Sequence, residues 1–397
     1  MKQRISSGRI RAGWRMVAIV AGLALVAAAC GGGGDDEGGG GNASGGTVKL
    51  GFFGALTGPN SPQLGINIRN GAELAVDEFN KKGGTQIQLV EYDSQGDPAQ
   101  APQLAQKAVS DKVVGIIGPA YSGESKVAVP IFEEGKIPNV SASATAVTLA
   151  ANNWQYWHRV VANDDAQAPA DATYITKALK ATNVAVIDDN SEYGKGLADG
   201  VRKALASQGA KVSANESIDP KASDYSSTVN AVKSSGATAV FYGGYYQDAA
   251  KLLKQLKDGG VSAKFVTGDG SLDQQLITLG GPAAEGAFAT CPCLLATSSE
   301  EEPSKKFVTD YKASSNADPG TYSTEGYDAA QVFLKAIEAG KTTPEDINTF
   351  IKTVSFEGIA KPIKFQANGE IEGSTIFIYE MKGGKVTLVG PVDEVAK

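Results

Sequence analysis

Asp269 stands between Gly268 and Gly270, directly after the strand-like run Phe265–Thr267. A carboxylate at such a point either caps the turn that follows or faces a cleft, where it can meet a cation. Four other turns carry groups suited to a small polar ligand: Gly118–Gly123, with Tyr121 and Ser122; Ser141–Thr145, with Ser143, Ala144 and Thr145; Tyr193-Gly194; and Gly243-Gly244-Tyr245. Each falls where a strand gives way to a helix, and the free backbone N–H groups and dipole of a helix N-terminus favour an anion. Enzyme chemistry finds little support. The single histidine, His158, lies in the strand-like run Tyr156–Val161, which suits a structural role. Cys291 and Cys293 flank Pro292; two ligands one residue apart with no histidine nearby cannot complete a tetrahedral zinc site, so the pair forms a disulfide or stays free. Gly194-Lys195-Gly196 follows a strand, but Asp199 stands where a dinucleotide fingerprint needs its third glycine. Neither a phosphate loop nor a nucleophile elbow is present. The expectation is a binding site with no catalytic residues, no metal and no cofactor.

The elements that must position these turns alternate. Strands are expected at Val48–Phe53, Ile87–Tyr92, Val113–Ile117 and Asn139–Ser141, then at Val184–Asp188, Val212–Ser217, Ala239–Tyr242 and Phe265–Thr267. Amphipathic stretches lie between them. The first places Ile68, Ala72, Val76 and Phe79 on one stripe and ends at Gly83-Gly84; others fall near 98–111, 123–134, 166–180, 194–207, 225–235 and 247–258. Such βα alternation implies parallel sheets covered by helices on both faces, and two series imply two doubly wound α/β lobes. Ligands of such sheets sit at the carboxyl ends of the strands.

The N-terminal stretch reads differently. Lys2, Arg4, Arg9, Arg11 and Arg15 precede the apolar run Met16–Ala29 with no acid among them. That order is a signal peptide over residues 1–29, and the run is too short for a span of about 17 to 25 residues. Ala27-Ala28-Ala29-Cys30 resembles the lipobox of bacterial lipoproteins, which implies cleavage before Cys30 and a lipid on its thiol. Residues 30–46, GGGGDDEGGGGNASGG after the cysteine, cannot bury enough surface to order themselves; as a Gly-rich coil they reach on the order of 20 to 25 Å. The chain carries a net charge of −7, and loss of the five leader bases takes it to about −12, which argues against nucleic acid and against a basic membrane face. The remaining length suits two lobes rather than one core.

From Val48 to the C-terminus the chain resembles the type I periplasmic binding proteins of ABC transporters, most closely those for leucine, isoleucine and valine. The resemblance rests on the order and spacing of Gly51–Pro59 (GFFGALTGP), Glu91–Pro98 (EYDSQGDP), Ser143–Thr145, Tyr193–Leu197 (YGKGL), Phe241–Tyr245 (FYGGY) and Ala284–Gly286 (AEG). It implies a ligand carboxylate on Ser122 and Thr145. It implies a ligand ammonium on the Ser143 carbonyl, the Thr145 hydroxyl and Asp269, with Ala144 in the same loop and Tyr193 and Tyr245 closing from the second lobe. Three departures stand out: Asp269 replaces the usual glutamate, Gln63 or Leu64 stands where an aromatic often lines the side-chain pocket, and Gly96 and Tyr121 replace the cysteines of a first-lobe disulfide. Leu64 favours an apolar ligand side chain and Gln63 a polar one.

The resemblance thus implies an extracytoplasmic lipoprotein, monomeric, that binds a free amino acid, aliphatic above all, and delivers it to an ABC permease. The same fold binding short amides or urea, or sensing its ligand, is the alternative. The lobes are expected at 47–162 plus 292–373 and at 163–291 plus 374–397, joined by a three-segment hinge near 162–164, 290–293 and 373–376.

Overall fold

The computed structural model describes residues 46–397. The expected signal peptide, Cys30 and the tether up to residue 45 lie outside the described residues. Among the described residues no helix is long and apolar enough to cross a membrane.

The first sheet is built from β1 (Thr47–Gly54), β2 (Gln86–Asp93), β3 (Ile116–Ile117), β4 (Asn139–Ser141) and β5 (Trp157–Arg159), all parallel in the order β2-β1-β3-β4-β5. Between them run α1 (Pro62–Lys81), α2 (Ala101–Ser110) and α3 (Ser122–Glu134). β1 is buried on both faces from Leu50 to Gly54, as a central strand between two helical layers must be.

The chain then enters a second sheet through α4 (Asp164–Thr173), which runs on as a single π turn, Tyr174–Ala178. There follow β6 (Asn183–Asp188), α5 (Glu192–Ser207), β7 (Lys211–Ser217), α6 (Ser226–Ser235), β8 (Ala239–Gly243), α7 (Tyr246–Asp258), β9 (Lys264–Thr267), α8 (Gln274–Gly280) and β10 (Phe288–Cys291). It returns to the first sheet's side with α9 (Glu302–Ser315), α10 (Ser323–Glu338), α11 (Pro344–Ile351) and the small hairpin β11 (Ser355–Glu357)–β12 (Pro362–Lys364). The last elements, β13 (Phe377–Lys382), β14 (Lys385–Pro391) and α12 (Val392–Val395), rejoin the second sheet, whose order is β14-β13-β10-β9-β8-β6-β7. The chain therefore passes three times between its two sheets.

One expectation needs correction. The second sheet is mixed, because β13 runs antiparallel to β10 and β14 antiparallel to β13. Gly383 and Gly384 both take positive φ, 59° and 76°, in the two-residue turn between them, the geometry that suits a twisted hairpin and that glycine adopts without strain.

α10 lies along α1, and two glycines set the distance. A Cβ on Gly71 would come within 2.0 Å of the Ser323 carbonyl oxygen, and one on Gly326 within 2.3 Å of that of Ile68, so the two backbones approach as no larger residue would allow. Cys291 and Cys293 are joined in a disulfide with Cα atoms 5.0 Å apart, buried at the second passage. His158 is buried on β5, edge-on to Phe365 with centroids 5.1 Å apart. Burial pushes its imidazole down to about 3, so it stays neutral as a core residue.

Candidate functional site

The turns singled out above converge between the two sheets. Leu64 comes from the first turn of α1, Ala120, Tyr121 and Ser122 from the start of α3, and Ser143 from the loop after β4. Tyr193 comes from the first turn of α5, Tyr245 from the residue before α7, and Asp269 and Gly270 from a 3₁₀ turn after β9. Together they enclose a cavity of about 10 Å³, room for one water-sized sphere. Any organic ligand must part the two sides or turn the tyrosines.

Asp269 sits at the floor of the second side, 2% exposed. Tyr193 OH donates to its Oδ1 at 2.9 Å and Tyr322 OH to its Oδ2 at 2.7 Å; Tyr193 OH in turn accepts the Gly270 N–H at 3.0 Å. The flanking glycines have a steric reason. A Cβ on Gly268 would meet Tyr193 Oη at 2.6 Å, and one on Gly270 would meet Tyr193 Cε1 at 2.7 Å. Burial outweighs these hydrogen bonds and raises the Asp269 carboxyl above its usual range, since no base lines the cavity among the described residues. Tyr245 packs between Tyr121 and Tyr193 with its ring tilted to both, at centroid distances of 5.4 and 5.2 Å.

The opposite wall is held by a buried ion pair. Arg159 on β5 donates from Nε to Glu370 Oε2 at 2.9 Å, and from Nη1 to the carbonyls of Ala144 at 2.8 Å and Ala146 at 3.1 Å. The loop carrying Ser143, Ala144 and Thr145 is thereby pinned. Ser143 Oγ donates to the Ala120 carbonyl and Ser122 Oγ accepts the Ala146 N–H at 3.3 Å, so this loop and the start of α3 form one unit. Six of the eight expected ligand residues line the cavity: Leu64, Ser122, Ser143, Tyr193, Tyr245 and Asp269. Ala144 and Thr145 are buried but do not line it. Leu64 faces the cavity, while Gln63 turns away and donates to Asn67 Oδ1 at 2.9 Å.

Sequence reading assigned no ligand role to three side chains here. Tyr121 follows Ala120 at an expected turn and lines the cavity, its hydroxyl donating to the Ser61 carbonyl at 2.7 Å. Tyr322 reaches Asp269 from the residue before α10, in the left-handed region at φ 66°, with no local pattern to announce it. Asp164 opens α4 beside Thr145, and its place directly after a capping asparagine was the one available signal.

Two doubly wound lobes that shut tyrosines and a buried acid over an interlobe cavity define a class of proteins that enclose small ligands. This chain belongs to the periplasmic binding protein family: the family model of that description matches residues 47–385. A leucine-, isoleucine-, valine-, threonine- and alanine-binding protein of Pseudomonas aeruginosa is 30% identical to it over 84% of this chain and 90% of that protein. A Leu/Ile/Val-binding protein of Escherichia coli K12 is 29% identical over the same shares. Among solved structures, a leucine-binding protein LivK of Thermotoga maritima superposes with a TM-score of 0.81 at 28% identity, over 87% of this chain and 98% of that one. The isoleucine complex of the substrate-binding protein LivJ of Streptococcus pneumoniae gives 0.78 at 27% identity, over 87% and 100%. A Rhodopseudomonas palustris solute-binding protein in complex with benzoate shares the fold, with a TM-score of 0.77 at 21% identity over 87% and 96%. All of these relatives are binding proteins, and those of S. pneumoniae and R. palustris are the substrate- or solute-binding proteins of transporters.

Proposed function

We propose that this protein binds a free aliphatic amino acid outside the cytoplasm and presents it to an ABC permease, tethered by a lipid on Cys30. The observation that carries the reading is Asp269, a carboxylate buried in the cavity wall with two tyrosine hydroxyls on it and, among the described residues, no base lining the cavity. A buried acid so placed calls for a cationic ligand group. Ser122, on the facing side at the start of α3, offers a helix N-terminus to a carboxylate. A zwitterion satisfies both ends, whereas a benzoate would leave Asp269 without a partner. Leu64 supplies an apolar contact for the side chain. The proposed lobes are residues 47–162 with 292–373 and residues 163–291 with 374–397, closing about hinges near 162–164, 290–293 and 373–376. Ligand contacts to both lobes make the closed form the favoured one.

The test is a thermal-shift screen followed by calorimetry over the amino acids, their methyl esters and N-acetyl forms, benzoate, urea and short amides, since a ligand of the folded form raises the melting temperature. Leucine, isoleucine and valine should bind ahead of aspartate and lysine, whose charged tips would lose water without gaining a partner, and the esters and N-acetyl forms should fail. Tight binding of urea, an amide or benzoate with no response to any free amino acid would overturn the reading.

A further inference from the structure

Lys126 and Glu192 form the one salt bridge that joins the two sides of the cleft among the described residues, with Nζ 2.8 Å from Oε2. Thr148 Oγ1 donates to the other oxygen of the same carboxylate at 3.0 Å. None of the three lines the cavity, yet each continues an element that does. Lys126 lies one turn after Ser122 on α3, Glu192 directly precedes Tyr193 at the start of α5, and Thr148 stands in the 3₁₀ turn Val147–Asn152 that follows the loop of Ser143. These bonds therefore form only when Ser122 and Ser143 are brought against Tyr193 and the cavity is shut. Two further bonds between the sides are uncharged: the Ser61 N–H donates to Gln247 Oε1 at 3.2 Å and the Gln63 N–H to Tyr246 OH at 3.4 Å. Thr148 and Glu192 also line a groove of about 810 Å³ along α4 and α5, and the Lys126 side chain is 59% exposed, so dissolved ions reach the pair but not the cavity. Burial alone would raise the Glu192 carboxyl, but the bonds from Lys126 and Thr148 hold it below its usual range.

We infer that Lys126, Glu192 and Thr148 are a latch that sets ligand affinity without touching the ligand, by favouring the shut form over the open one. The inference rests on the amino-acid reading above only for its probe, leucine. A contact made in the shut form alone lowers that form's free energy whether or not a ligand is inside. It therefore raises the shut fraction of the empty protein, and it raises affinity, mainly by slowing release. An exposed ion pair supports a factor of about 1.5 to 5 in such an equilibrium, to which the Thr148 bond adds. Salt separates this term from the rest. Leucine carries no net charge at neutral pH and its ends are held in a dry cavity, so its own contacts are screened little, whereas a pair at the rim is screened strongly. The latch governs how long a ligand is held and leaves to the cavity which ligand it is.

Calorimetry and stopped-flow release of leucine, on wild-type protein and on Lys126→Glu, test the latch at about 10 mM and about 1 M salt, where charges are felt over about 30 Å and about 3 Å. In low salt Lys126→Glu, with two carboxylates opposed, should bind leucine about tenfold more weakly, most of the loss lying in faster release. In high salt it should match wild type to within about twofold. The exchanged pair, Lys126→Glu with Glu192→Lys, should bind several-fold more tightly than the single variant, a rescue that a merely structural role would not give. Small-angle X-ray scattering of the ligand-free proteins in low salt reads the latch separately, and the single variant should have the larger radius of gyration. Wild-type affinity and release in Lys126→Glu at low salt, or an exchanged pair as weak as the single variant, overturns the latch while leaving the amino-acid reading intact. Wild-type protein that binds no free amino acid overturns that reading, and scattering then decides the latch alone, an unchanged radius of gyration refuting it.

Discussion

Asp269 owes its position to its neighbours. Two glycines let the Tyr193 ring pack over it, and two hydroxyls hold both carboxylate oxygens. In Asp269→Ala the ligand ammonium would lose a formal counter-charge in a dry site, a cost of roughly 2 to 5 kcal/mol by analogy with truncating one partner of a buried, hydrogen-bonded charge pair. Calorimetry should show leucine affinity down by more than tenfold with the far-ultraviolet circular dichroism unchanged; unaltered affinity would remove Asp269 from the site. Asp269, Tyr193 and Tyr245 were legible in the sequence because each sits where a strand pattern stops and a helix pattern begins. Tyr322 was not, since it reaches the same carboxylate from the loop between α9 and α10 and takes a backbone conformation that a reader would assign to glycine.

The loop after β4 depends on an ion pair that spans the chain from β5 to Glu370. Arg159 and Glu370 are both buried, and removing one partner of such a pair strands the other, a loss of about 3 to 5 kcal/mol. Glu370→Ala should therefore lower the denaturation midpoint steeply. It should also weaken leucine binding, because Arg159 holds the Ala144 and Ala146 carbonyls; a variant as stable as wild type in urea titration would refute the role given to the pair. Most strands and helices were readable from alternation alone, but strand direction was not. Periodicity marks which residues face a core and says nothing about which partner a strand finds, so β13 and β14 went unrecognised although Gly383-Gly384 marked their turn. Nor could spacing decide the state of Cys291 and Cys293, which depends on how closely the main chain brings them together.

Several buried acids set the pH response of the whole molecule. Burial pushes Glu124 and Asp328 up to about 8 and Asp164 up to about 7. Between their unfolded values near 4 and these folded values the native state holds more protons, so stability is gained as pH falls and lost as it rises. His158 acts in the opposite sense, since its imidazole takes a proton only on unfolding once pH drops below about 6.5. Ligand-free protein should therefore melt at progressively higher temperature from pH 9 down to about 6.5, with a shallower gain below. A melting temperature that is flat or falling over that first interval would contradict the assignments. At the N-terminus, Cys30→Ser should leave an unprocessed precursor or a lipid-free species, read by mass spectrometry and membrane fractionation; absence of lipid on the wild-type protein would remove the proposed anchor.

The three passages between the sheets also bear on how the chain is made. β13 completes the second sheet beside β10, yet the whole stretch from α9 to β12 is synthesised between them. α10, which packs on α1, likewise emerges only after the second sheet's parallel strands. Neither lobe can close its core while the ribosome is still upstream of these segments, so the nascent chain stays incompletely folded through most of translation. For a protein proposed to leave the cytoplasm as a thread, that delay keeps it fit for translocation, and assembly of both lobes is deferred until the late segments have crossed.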